Sequence, residues 1–294
     1  MAQPYRDKVV IILGGGSGIG AALAGRLHGR GARIVIADVQ HETAAAVAEP
    51  LAAEAHAVDI TRGAQVDDLL RDVVHRHRRI DYLFNCAGLV PIGPLDELHD
   101  DARARTVDVN LTGLIAACRA AGRIMAAQRE GGTIVNLASL AGLVPLPMGA
   151  VYSATKAGVV ALSLALRAEL RDRRVRVVCI CPGIVDTPLV DNTFMALNTP
   201  DAARVNMRPG RGQSATSCAG TILRAAARDR ALTVTPLAAR LTWWLYRVAP
   251  WFYHRWLAPA IGRRYHRRRA RREARVAARA AKPSGENAHN HAAR

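Results

Sequence analysis

Short runs of apolar residues, many of them β-branched, alternate along the chain with longer stretches rich in Ala, Leu and Arg. Each apolar run has the length of a buried strand, and each longer stretch has the length of a helix. The predicted strands are residues 9–13, 33–37, 55–58, 82–84, 133–137, 176–180 and 232–235. Because strands that alternate with helices form parallel sheets, the pattern predicts an α/β fold: a doubly wound, seven-stranded parallel sheet with helices on both faces.

Two of the predicted helices are long, at residues 102–127 and 152–172. Both are rich in Ala and Leu and carry few charges on one side. A helix of this kind packs its apolar face on a sheet or against a second subunit. We therefore expect these two helices to cover the sheet or to join two copies of the chain.

Charge and aromatic residues divide the chain near residue 236. Residues 237–294 hold 14 Arg and Lys against two Glu, within a chain of net charge +17. Eight of the 13 aromatic residues, including all four Trp, lie between Trp243 and Tyr265. We expect one globular domain at residues 1–236, an aromatic amphipathic helical segment at 237–265, and an Arg-rich, partly disordered tail at 266–294.

The five cysteines are odd in number and form no Cys-x-x-Cys pair. This usage favours neither a disulfide framework nor a zinc site, so no metal is expected. The apolar run at residues 9–13 is too short for the core of a signal peptide. The sequence therefore favours a reduced, cytoplasmic compartment and argues against secretion.

A glycine-rich turn directly follows the first predicted strand and opens a helix, in the order Gly14-Gly15-Gly16-Ser17-Gly18-Ile19-Gly20. Glycines allow a sharp turn and let the backbone approach a pyrophosphate at the helix N-terminus. A tight turn without a ligand is the alternative for a glycine motif alone. Asp38 closes the second strand, where its carboxylate can accept hydrogen bonds from a ribose diol and would repel a 2′-phosphate. These residues predict a Rossmann-like dinucleotide site that favours NAD over NADP.

Tyr152 and Lys156 stand four residues apart in a predicted helix, and Ser139 lies 13 residues before Tyr152, at the end of a predicted strand. Residues i and i+4 share one helix face, so the phenol and the ammonium can point into the same cleft. A fixed positive charge favours the phenolate and lowers the tyrosine pKa. A solvated helix face is the alternative for a Tyr-x-x-x-Lys pair alone. Together with the glycine-rich turn, these three residues predict a proton-transfer site.

Taken in order, these motifs resemble the classical short-chain dehydrogenase/reductase family from about residue 5 to residue 236. The matching segments are Gly14-x-x-x-Gly18-Ile19-Gly20, Asp59 after Ala57-Val58, Asn85-Cys86-Ala87-Gly88, Asn110 in Val109-Asn110-Leu111-Thr112-Gly113, the Ser139, Tyr152 and Lys156 set, and Pro182-Gly183-Ile184-Val185-Asp186-Thr187. Two positions depart from the family pattern, because Leu13 stands where Thr is usual and Cys86 replaces Asn. We expect these departures to reduce stability or cofactor affinity modestly rather than to abolish activity.

The resemblance implies an NAD(P)-dependent oxidoreductase, with NAD favoured, that interconverts a secondary alcohol and a ketone. It implies that Tyr152 is the general acid/base, that Lys156 holds the nicotinamide ribose and lowers the Tyr152 pKa, and that Ser139 hydrogen-bonds the substrate oxygen. Asn110 would hold a water that passes the proton to solvent. The residues implied to contact the cofactor are Gly14, Ser17, Gly18, Ile19, Gly20, Asp38, Asp59, Ile60, Asn85, Ala87, Gly88, Tyr152, Lys156, Pro182, Gly183, Ile184 and Thr187.

The expected substrate pocket is flanked by residues 89–92, by residues 140–148 and by a lid at about 186–212, and the first two segments are almost uncharged. Residues that could line the pocket, or pack under the lid, are Leu143, Val144, Leu146, Met148, Phe194, Met195 and Leu197. We expect a lipophilic substrate such as a steroid, a retinoid or a lipid. The alternatives are a 3-ketoacyl carrier-protein reductase and a non-catalytic dinucleotide-fold scaffold that binds through its Arg-rich tail.

The C-terminal segment has three interpretations. Arg240, Arg247, Arg255 and two prolines interrupt its apolar stretch, so it should not cross a bilayer. Its Trp, Tyr and Arg content favours in-plane membrane association through residues 237–279. Docking on the catalytic domain as a lid or a subunit contact, with the arginines only solvated, is the second interpretation. Nucleic-acid binding is the third, although no recognisable nucleic-acid module precedes the segment.

The resemblance also bears on oligomeric state. Members of the family commonly pair through the two helices that match residues 102–127 and 152–172. The resemblance therefore implies a homodimer or a homotetramer.

Overall fold

The computed structural model describes residues 4–187 and 212–280. Its strands are β1 (Val9–Leu13), β2 (Arg33–Asp38), β3 (Glu54–Ala57), β4 (Tyr82–Asn85), β5 (Gly132–Leu137), β6 (Val175–Pro182), β7 (Val185–Asp186), β8 (Gln213–Ser214) and β9 (Leu232–Thr235). Seven of them form one parallel sheet in the order β3-β2-β1-β4-β5-β6-β9. The predicted seven-stranded parallel sheet is therefore confirmed, and the short β7 and β8, which pair with each other, were not predicted.

The helices connect consecutive strands and then continue beyond β9. They are α1 (Gly18–His28), α2 (His41–Ala48), α3 (Gly63–His77), α4 (Asp100–Val107), α5 (Gly113–Ala127), α6 (Ala150–Glu169), α7 (Ala215–Ala227), α8 (Leu237–Val248), α9 (Pro250–Phe252) and α10 (Ala258–Ala280). A π-helical turn, Asp108–Thr112, joins α4 to α5. The predicted helix at 102–127 thus corresponds to α4, this turn and α5, and the predicted helix at 152–172 corresponds to α6.

The core lies on both faces of the sheet because strand side chains alternate between faces. In β1, Val9, Ile11 and Leu13 belong to one buried cluster, which includes side chains of α3, α5 and α6. Val10 and Ile12 belong to a second buried cluster with side chains of α1, α2 and α7. The two clusters account for the doubly wound architecture, since each covers one face of the sheet.

The strand order reverses beside β1, because β2 pairs with one of its edges and β4 with the other. The carboxyl ends of β1 and β4 are in register at Leu13 and Asn85. In open parallel sheets a crevice opens at such a reversal, outside the carboxyl ends of the strands, and ligands bind there. The fold therefore places the glycine-rich turn, which begins directly after Leu13, at the crevice.

Only the two ends of the predicted lid at about 186–212 fall within the described residues. There β7 pairs with β8, and the backbone N–H of Gly212 donates to the Asp186 carboxylate at 3.2 Å. Phe194, Met195 and Leu197 lie outside the described residues. Their place at the pocket or under the lid stays a prediction.

The C-terminal segment is helical over most of its described length. The helix α8 ends at Val248, because Ala249 precedes a proline and is not helical, with φ −134° and ψ 62°. The next long helix, α10, runs through residue 265, where we expected the aromatic segment to give way to the tail. Residues 281–294 lie outside the described part of the chain. No helix within the described residues is long and apolar enough to cross a membrane.

The residues around α10 dock on the sheet domain. The Tyr253 hydroxyl donates a hydrogen bond to the carbonyl of Pro145. Tyr265 is buried in a small apolar cluster with the loop that follows β4, and Arg269 forms an ion pair with Glu97. On the side of the C-terminal segment that faces the sheet domain, these contacts agree with the docking interpretation.

Candidate active site

The glycine-rich turn is shaped by close backbone contacts that exclude side chains. Gly14 has φ +75°, and a Cβ there would lie 2.5 Å from the backbone nitrogen of Ala87. A Cβ on Gly20 would lie 2.2 Å from the carbonyl oxygen of Gly14. The helix α1 begins at Gly18, so its first N–H groups, which have no partner within the helix, lie beside this turn. The turn is therefore a cradle for an anionic group such as a pyrophosphate.

Asp38 is the last residue of β2 and Asp59 follows β3, and both line the cavity that contains this cradle. The Asp38 carboxylate accepts hydrogen bonds from the backbone N–H of Gly16 at 3.0 Å and of Gln40 at 3.3 Å. Partial burial opposes ionisation of Asp59, but hydrogen bonds from the Thr61 hydroxyl and N–H outweigh it and lower the Asp59 pKa. Two carboxylates thus border the cavity at the predicted adenosine end.

Ser139, Tyr152 and Lys156 meet on the opposite side of the same cavity. Ser139 follows β5, and its hydroxyl accepts the backbone N–H of Ala141 at 3.1 Å, which orients the side chain. Tyr152 and Lys156 lie one turn apart on α6, and the Lys156 Nζ is 5.9 Å from the centre of the Tyr152 ring. The predicted clustering of these three residues is therefore present in the fold.

Burial dominates the ionisation of this cluster. Lys156 is only 4% exposed, and desolvation lowers its pKa to about 8. Burial likewise raises the pKa of Tyr152, and a hydrogen bond with Ser139 offsets part of the rise. Lys156 was expected to lower the Tyr152 pKa together with the oxidised nicotinamide ring; in the chain by itself burial is the largest effect, and the Tyr152 pKa is raised. The Lys156 Nζ donates to the carbonyl of Leu137 at 2.8 Å, so its charge is directed at the end of β5.

Asn110 holds the loop after β4 rather than facing the cavity. It is fully buried in the π-helical turn, where its Oδ1 accepts the N–H of Leu89 at 2.7 Å. Its Nδ2 donates to the Leu89 carbonyl at 2.9 Å and to the Thr155 hydroxyl at 3.2 Å. A Cβ on Gly88 would lie 3.3 Å from the Asn110 Oδ1 and 3.5 Å from the Lys156 Nζ, so both groups approach the same point. The predicted role of Asn110, which is to hold a water that passes the proton to solvent, stays a prediction.

Asn85 performs a different task from the predicted cofactor contact. Its side chain is 1% exposed and is not part of the cavity wall. The Asn85 Nδ2 donates to the Asn136 Oδ1 at 2.7 Å, and the Asn136 Nδ2 donates to the Ser163 hydroxyl at 3.0 Å. This chain of hydrogen bonds ties β4 to β5 and α6 inside the core. The sequence motif was correct, but its first side chain supports the sheet.

The cavity has a volume of about 1270 Å³ and is lined by all the other predicted cofactor-contacting residues. Thr187 closes over the glycine-rich turn, since a Cβ on Gly18 would lie 3.2 Å from its side chain. Of the predicted pocket residues, Val144 and Leu146 line the cavity, whereas Leu143 packs on the core and Met148 joins the cluster around Tyr265.

Part of the cavity wall comes from the C-terminal helices. Docking of this segment as a lid was one of the sequence interpretations, but that interpretation named no lining residues. The residues that line the cavity from this segment are Thr242, Tyr253, Leu257, Ile261 and Arg264. The signal that could have found them is the concentration of aromatic residues between Trp243 and Tyr265, because such residues cover apolar surface. The wall of the cavity is therefore built from parts of the chain that are far apart in sequence.

Comparison with known proteins identifies this arrangement. The family described as short chain dehydrogenase matches residues 8–198 of the chain. The chain belongs to the short chain dehydrogenase family. Membership makes it an oxidoreductase of the alcohol dehydrogenase type.

Named relatives within the short chain dehydrogenase family act as dehydrogenases. D-threitol dehydrogenase of Mycolicibacterium smegmatis is 40% identical over 187 residues, which cover 62% of this chain and 72% of the relative. L-fucose dehydrogenase of Oryctolagus cuniculus is 35% identical over 201 residues, which cover 68% of this chain and 70% of the relative.

Solved structures of short chain dehydrogenases share the fold. One from Burkholderia phymatum in complex with NAD superposes with a TM-score of 0.74 and 30% identity, over 85% of this chain and 95% of the other. A 3-ketoacyl-(acyl-carrier-protein) reductase from Brucella melitensis complexed with NADH superposes with a TM-score of 0.69 and 28% identity, over 78% of this chain and 96% of the other.

The short chain dehydrogenase family binds NAD(H) or NADP(H), and the residues present fit such a cofactor. The cradle formed by Gly14 and Gly20 has no room for a Cβ, which leaves the backbone open to a pyrophosphate. Asp38 lies where an adenosine ribose would be held, and Lys156 lies at the other end of the cavity, where a nicotinamide ribose would be held.

Proposed function

We propose that this short chain dehydrogenase uses NAD to interconvert a lipophilic secondary alcohol and its ketone. The observation that carries the proposal is the convergence of Ser139, Tyr152 and Lys156 on one cavity with the glycine cradle and a carboxylate at its rim. The cofactor would supply the hydride acceptor and donor. The chain's own residues would bind the substrate oxygen and move its proton.

The preference for NAD rests on Asp38. Its carboxylate ends β2, borders the cavity and is oriented by two backbone N–H groups. A carboxylate in this place accepts hydrogen bonds from a ribose diol and repels a 2′-phosphate. The residues that follow it, Val39 and Gln40, carry no charge that could offset this repulsion.

Proton transfer at the substrate oxygen would fall to Tyr152. The Ser139 hydroxyl would hydrogen-bond the same oxygen as its charge changes. Lys156 has a pKa of about 8, so its ammonium is the main form near neutral pH and can stabilise a phenolate in its neighbourhood. This division of tasks requires only groups that the fold brings to one cavity.

The apolar walls support a lipophilic substrate. The loop after β4 contributes Leu89, Val90 and Ile92, and the loop before α6 contributes Val144 and Leu146. The C-terminal helices add Leu257 and Ile261 on another side. An apolar wall of this extent favours a steroid, a retinoid or a long-chain alcohol over a small hydrated one.

Two further substrates compete, each on a specific observation. A polyol or sugar is favoured by the names of the D-threitol and L-fucose dehydrogenases that the chain resembles. A 3-ketoacyl group on an acidic carrier protein is favoured by the basic surface, and the similar ketoacyl reductase from Brucella melitensis is complexed with NADH. A non-catalytic scaffold gains no support, because the cluster at Tyr152 is complete.

Self-association belongs to the same proposal. The helices α5 and α6 leave Ile115 and Leu164 exposed on the structure of a single chain. A homodimer or homotetramer would cover such residues. Sedimentation equilibrium of the purified chain measures the oligomeric state directly.

The test is NADH formation by the purified full chain with NAD or NADP. Substrates are a panel of hydroxysteroids, retinol, long-chain secondary alcohols, threitol, fucose and a 3-hydroxyacyl thioester. We expect turnover with NAD and a lipophilic alcohol, and a loss of about 100-fold to 10 000-fold in Tyr152→Phe, the usual contribution of a general acid/base.

Tyr246→Phe is the matched control, because it removes the same hydroxyl from a tyrosine on α8 that does not line the cavity. We expect it to retain activity. Near-normal turnover in Tyr152→Phe would refute the catalytic assignment. Turnover confined to threitol, fucose or the thioester would overturn the substrate class.

A further inference from the structure

The helix α8 presents its apolar side to solvent. Successive residues of a helix are about 100° apart, so residues 237, 241, 244, 245 and 248 share one face. All five are large apolar residues, and all five are exposed: Leu237, Leu241, Trp244, Leu245 and Val248. We call this face the outward stripe. On the opposite face, Ala239 is buried and Trp243 packs on the core.

This arrangement is the reverse of an ordinary surface helix, which buries its apolar stripe and exposes its polar face. Trp251, Phe252 and Trp256, which follow α8 in the chain, are exposed as well. A contiguous apolar surface of this kind marks a place where another surface binds. We therefore expect the outward stripe to bind a partner that covers its large apolar side chains.

Positive charge borders the outward stripe. Arg240 and Arg247 follow one edge of it at helical spacing. The Arg247 guanidinium lies 5.3 Å from the centre of the Trp243 ring and 5.6 Å from that of Trp244, and the Arg255 guanidinium lies 5.1 Å from that of Trp256. Arginine and tryptophan are thus placed together along the exposed surface.

A second basic surface lies on α10. Its inward face carries Tyr265, which is buried, and Arg269, which pairs with Glu97. A second pocket along the helix is lined by Ala260 and by four arginines: Arg263, Arg264, Arg267 and Arg271. Residues 237–280 contain a single acidic residue, Glu273. The charge on this part of the chain suits an anionic partner.

We propose that α8 and α10 form an in-plane docking surface for a lipid bilayer that contains anionic lipids. The outward stripe would enter the boundary between head groups and acyl chains, where Trp is favoured, and the arginines would contact the head groups. A bilayer covers both the apolar side chains and the positive charge.

Other occupants satisfy only one of these requirements. A second copy of the chain, paired about a twofold axis, would set the arginines beside the outward stripe against their own copies. A nucleic acid would neutralise the arginines but leave Leu241, Trp244 and Val248 in water. The combination of an apolar stripe with bordering arginines therefore favours the anionic bilayer.

Docking in this orientation bears on substrate entry. Thr242 of α8, Tyr253 and Leu257 of the turn after α9, and Ile261 and Arg264 of α10 line the cavity. The same helices would therefore join the bilayer to the cavity wall, so a lipophilic substrate dissolved in the bilayer could enter without crossing water. This consequence for substrate supply rests on the proposed function, whereas the docking itself does not.

The test is flotation of the purified full chain with vesicles of neutral phosphatidylcholine and with vesicles that also contain phosphatidylglycerol. We expect recovery with the anionic vesicles that falls as salt is raised. The double variant Leu241→Ser/Leu245→Ser should bind at least about tenfold more weakly, because burial of a leucine is worth about this factor or more. Neither residue lines the cavity, so the NAD affinity of this variant should be unchanged.

The matched control is Leu95→Ser, compared with the single variant Leu241→Ser. Leu95 is 58% exposed, close to the 61% of Leu241, but it lies outside the C-terminal segment. The control should float like the unaltered chain. A second variant, Arg263→Gln/Arg267→Gln, should weaken binding to anionic vesicles by about fivefold for each charge and leave binding to neutral vesicles unchanged.

Three results would overturn the proposal. The first is equal recovery of the unaltered chain with and without vesicles. The second is equal flotation of the Leu241→Ser variant and the Leu95→Ser control. The third is an alternative occupant: either self-association in sedimentation that only the Leu241→Ser/Leu245→Ser variant loses, or binding to duplex DNA that is tighter than binding to the anionic vesicles.

Discussion

Two glycines of α1 allow a direct test of the cradle, because the same substitution meets opposite surroundings. Gly20→Ala places a Cβ 2.2 Å from the carbonyl oxygen of Gly14 and 2.9 Å from the Cα of Gly15. Ordinary contact begins near 3.4 Å, so the helix or the turn must shift by about 1 Å. Gly25→Ala places its Cβ in open space, with nothing within 4 Å.

The expected magnitudes follow from these contacts. Overpacking against backbone costs about 1–3 kcal/mol in the free energy of unfolding, so Gly20→Ala should be destabilised by roughly that amount. Gly25→Ala should be stabilised by about 0.5–1 kcal/mol, because alanine is a better helix former than glycine. Each kcal/mol corresponds to a change of about 2–4 °C in Tm for a domain of this class.

Cofactor binding gives an independent measurement on the same variants. Thermal unfolding with and without NAD reports affinity, because saturation at a hundred times Kd adds about 2.7 kcal/mol. We expect NAD to raise the Tm of Gly25→Ala as it raises that of the unaltered chain, and to raise that of Gly20→Ala much less. If Gly20→Ala melts like the unaltered chain and gains the same increment from NAD, the cradle reasoning is wrong.

Two further predictions concern charge. Asp38→Asn should weaken NAD binding by about tenfold, because the ribose loses its hydrogen bonds to a charged acceptor. It should leave NADP binding unchanged or stronger, because the repulsion of a 2′-phosphate is lost as well. Calorimetric titration measures the affinity for both cofactors, and an unchanged ratio of the NAD and NADP affinities would contradict the prediction. Burial lowers the Lys156 pKa from 10.5 to about 8. Between these pH values the unfolded chain therefore binds one more proton than the folded chain. As pH increases from about 8 to 10.5, the free energy of unfolding should rise relative to that of Lys156→Met. Urea unfolding across this range measures the difference between the two proteins, and a constant difference would show that Lys156 is not desolvated.

The elements of the sheet could be predicted because their signals are local. Val9 to Leu13 form an uninterrupted apolar run, and a strand buried on both faces requires such a run. The same is true of the glycine-rich turn, whose residues are adjacent in the chain, and of Tyr152 and Lys156, which one helical turn brings together. Asp38 could be predicted as well, because its place at the end of a strand follows from the strand itself.

Other features depended on surroundings that the sequence does not specify. Asn85 belongs to a recognisable motif, yet its side chain faces the core, because Asn136 on the neighbouring strand provides its hydrogen-bond acceptor. The raised Tyr152 pKa likewise results from burial. Both outcomes depend on groups that are brought close only by the packing of strands and helices.

The C-terminal helices show most clearly which features the sequence determines and which only tertiary packing decides. The sequence by itself determined that residues 237–265 are aromatic and basic, and that residues 241, 244, 245 and 248 share a helix face. It did not determine which face contacts the domain. The tertiary structure decided that Tyr265 is buried and that Leu241 is exposed, because the apolar surface available near the cavity accommodates one face of these helices and leaves the other uncovered. Hydrophobic attraction has no direction, so periodicity identifies an apolar stripe, and only packing shows what covers it.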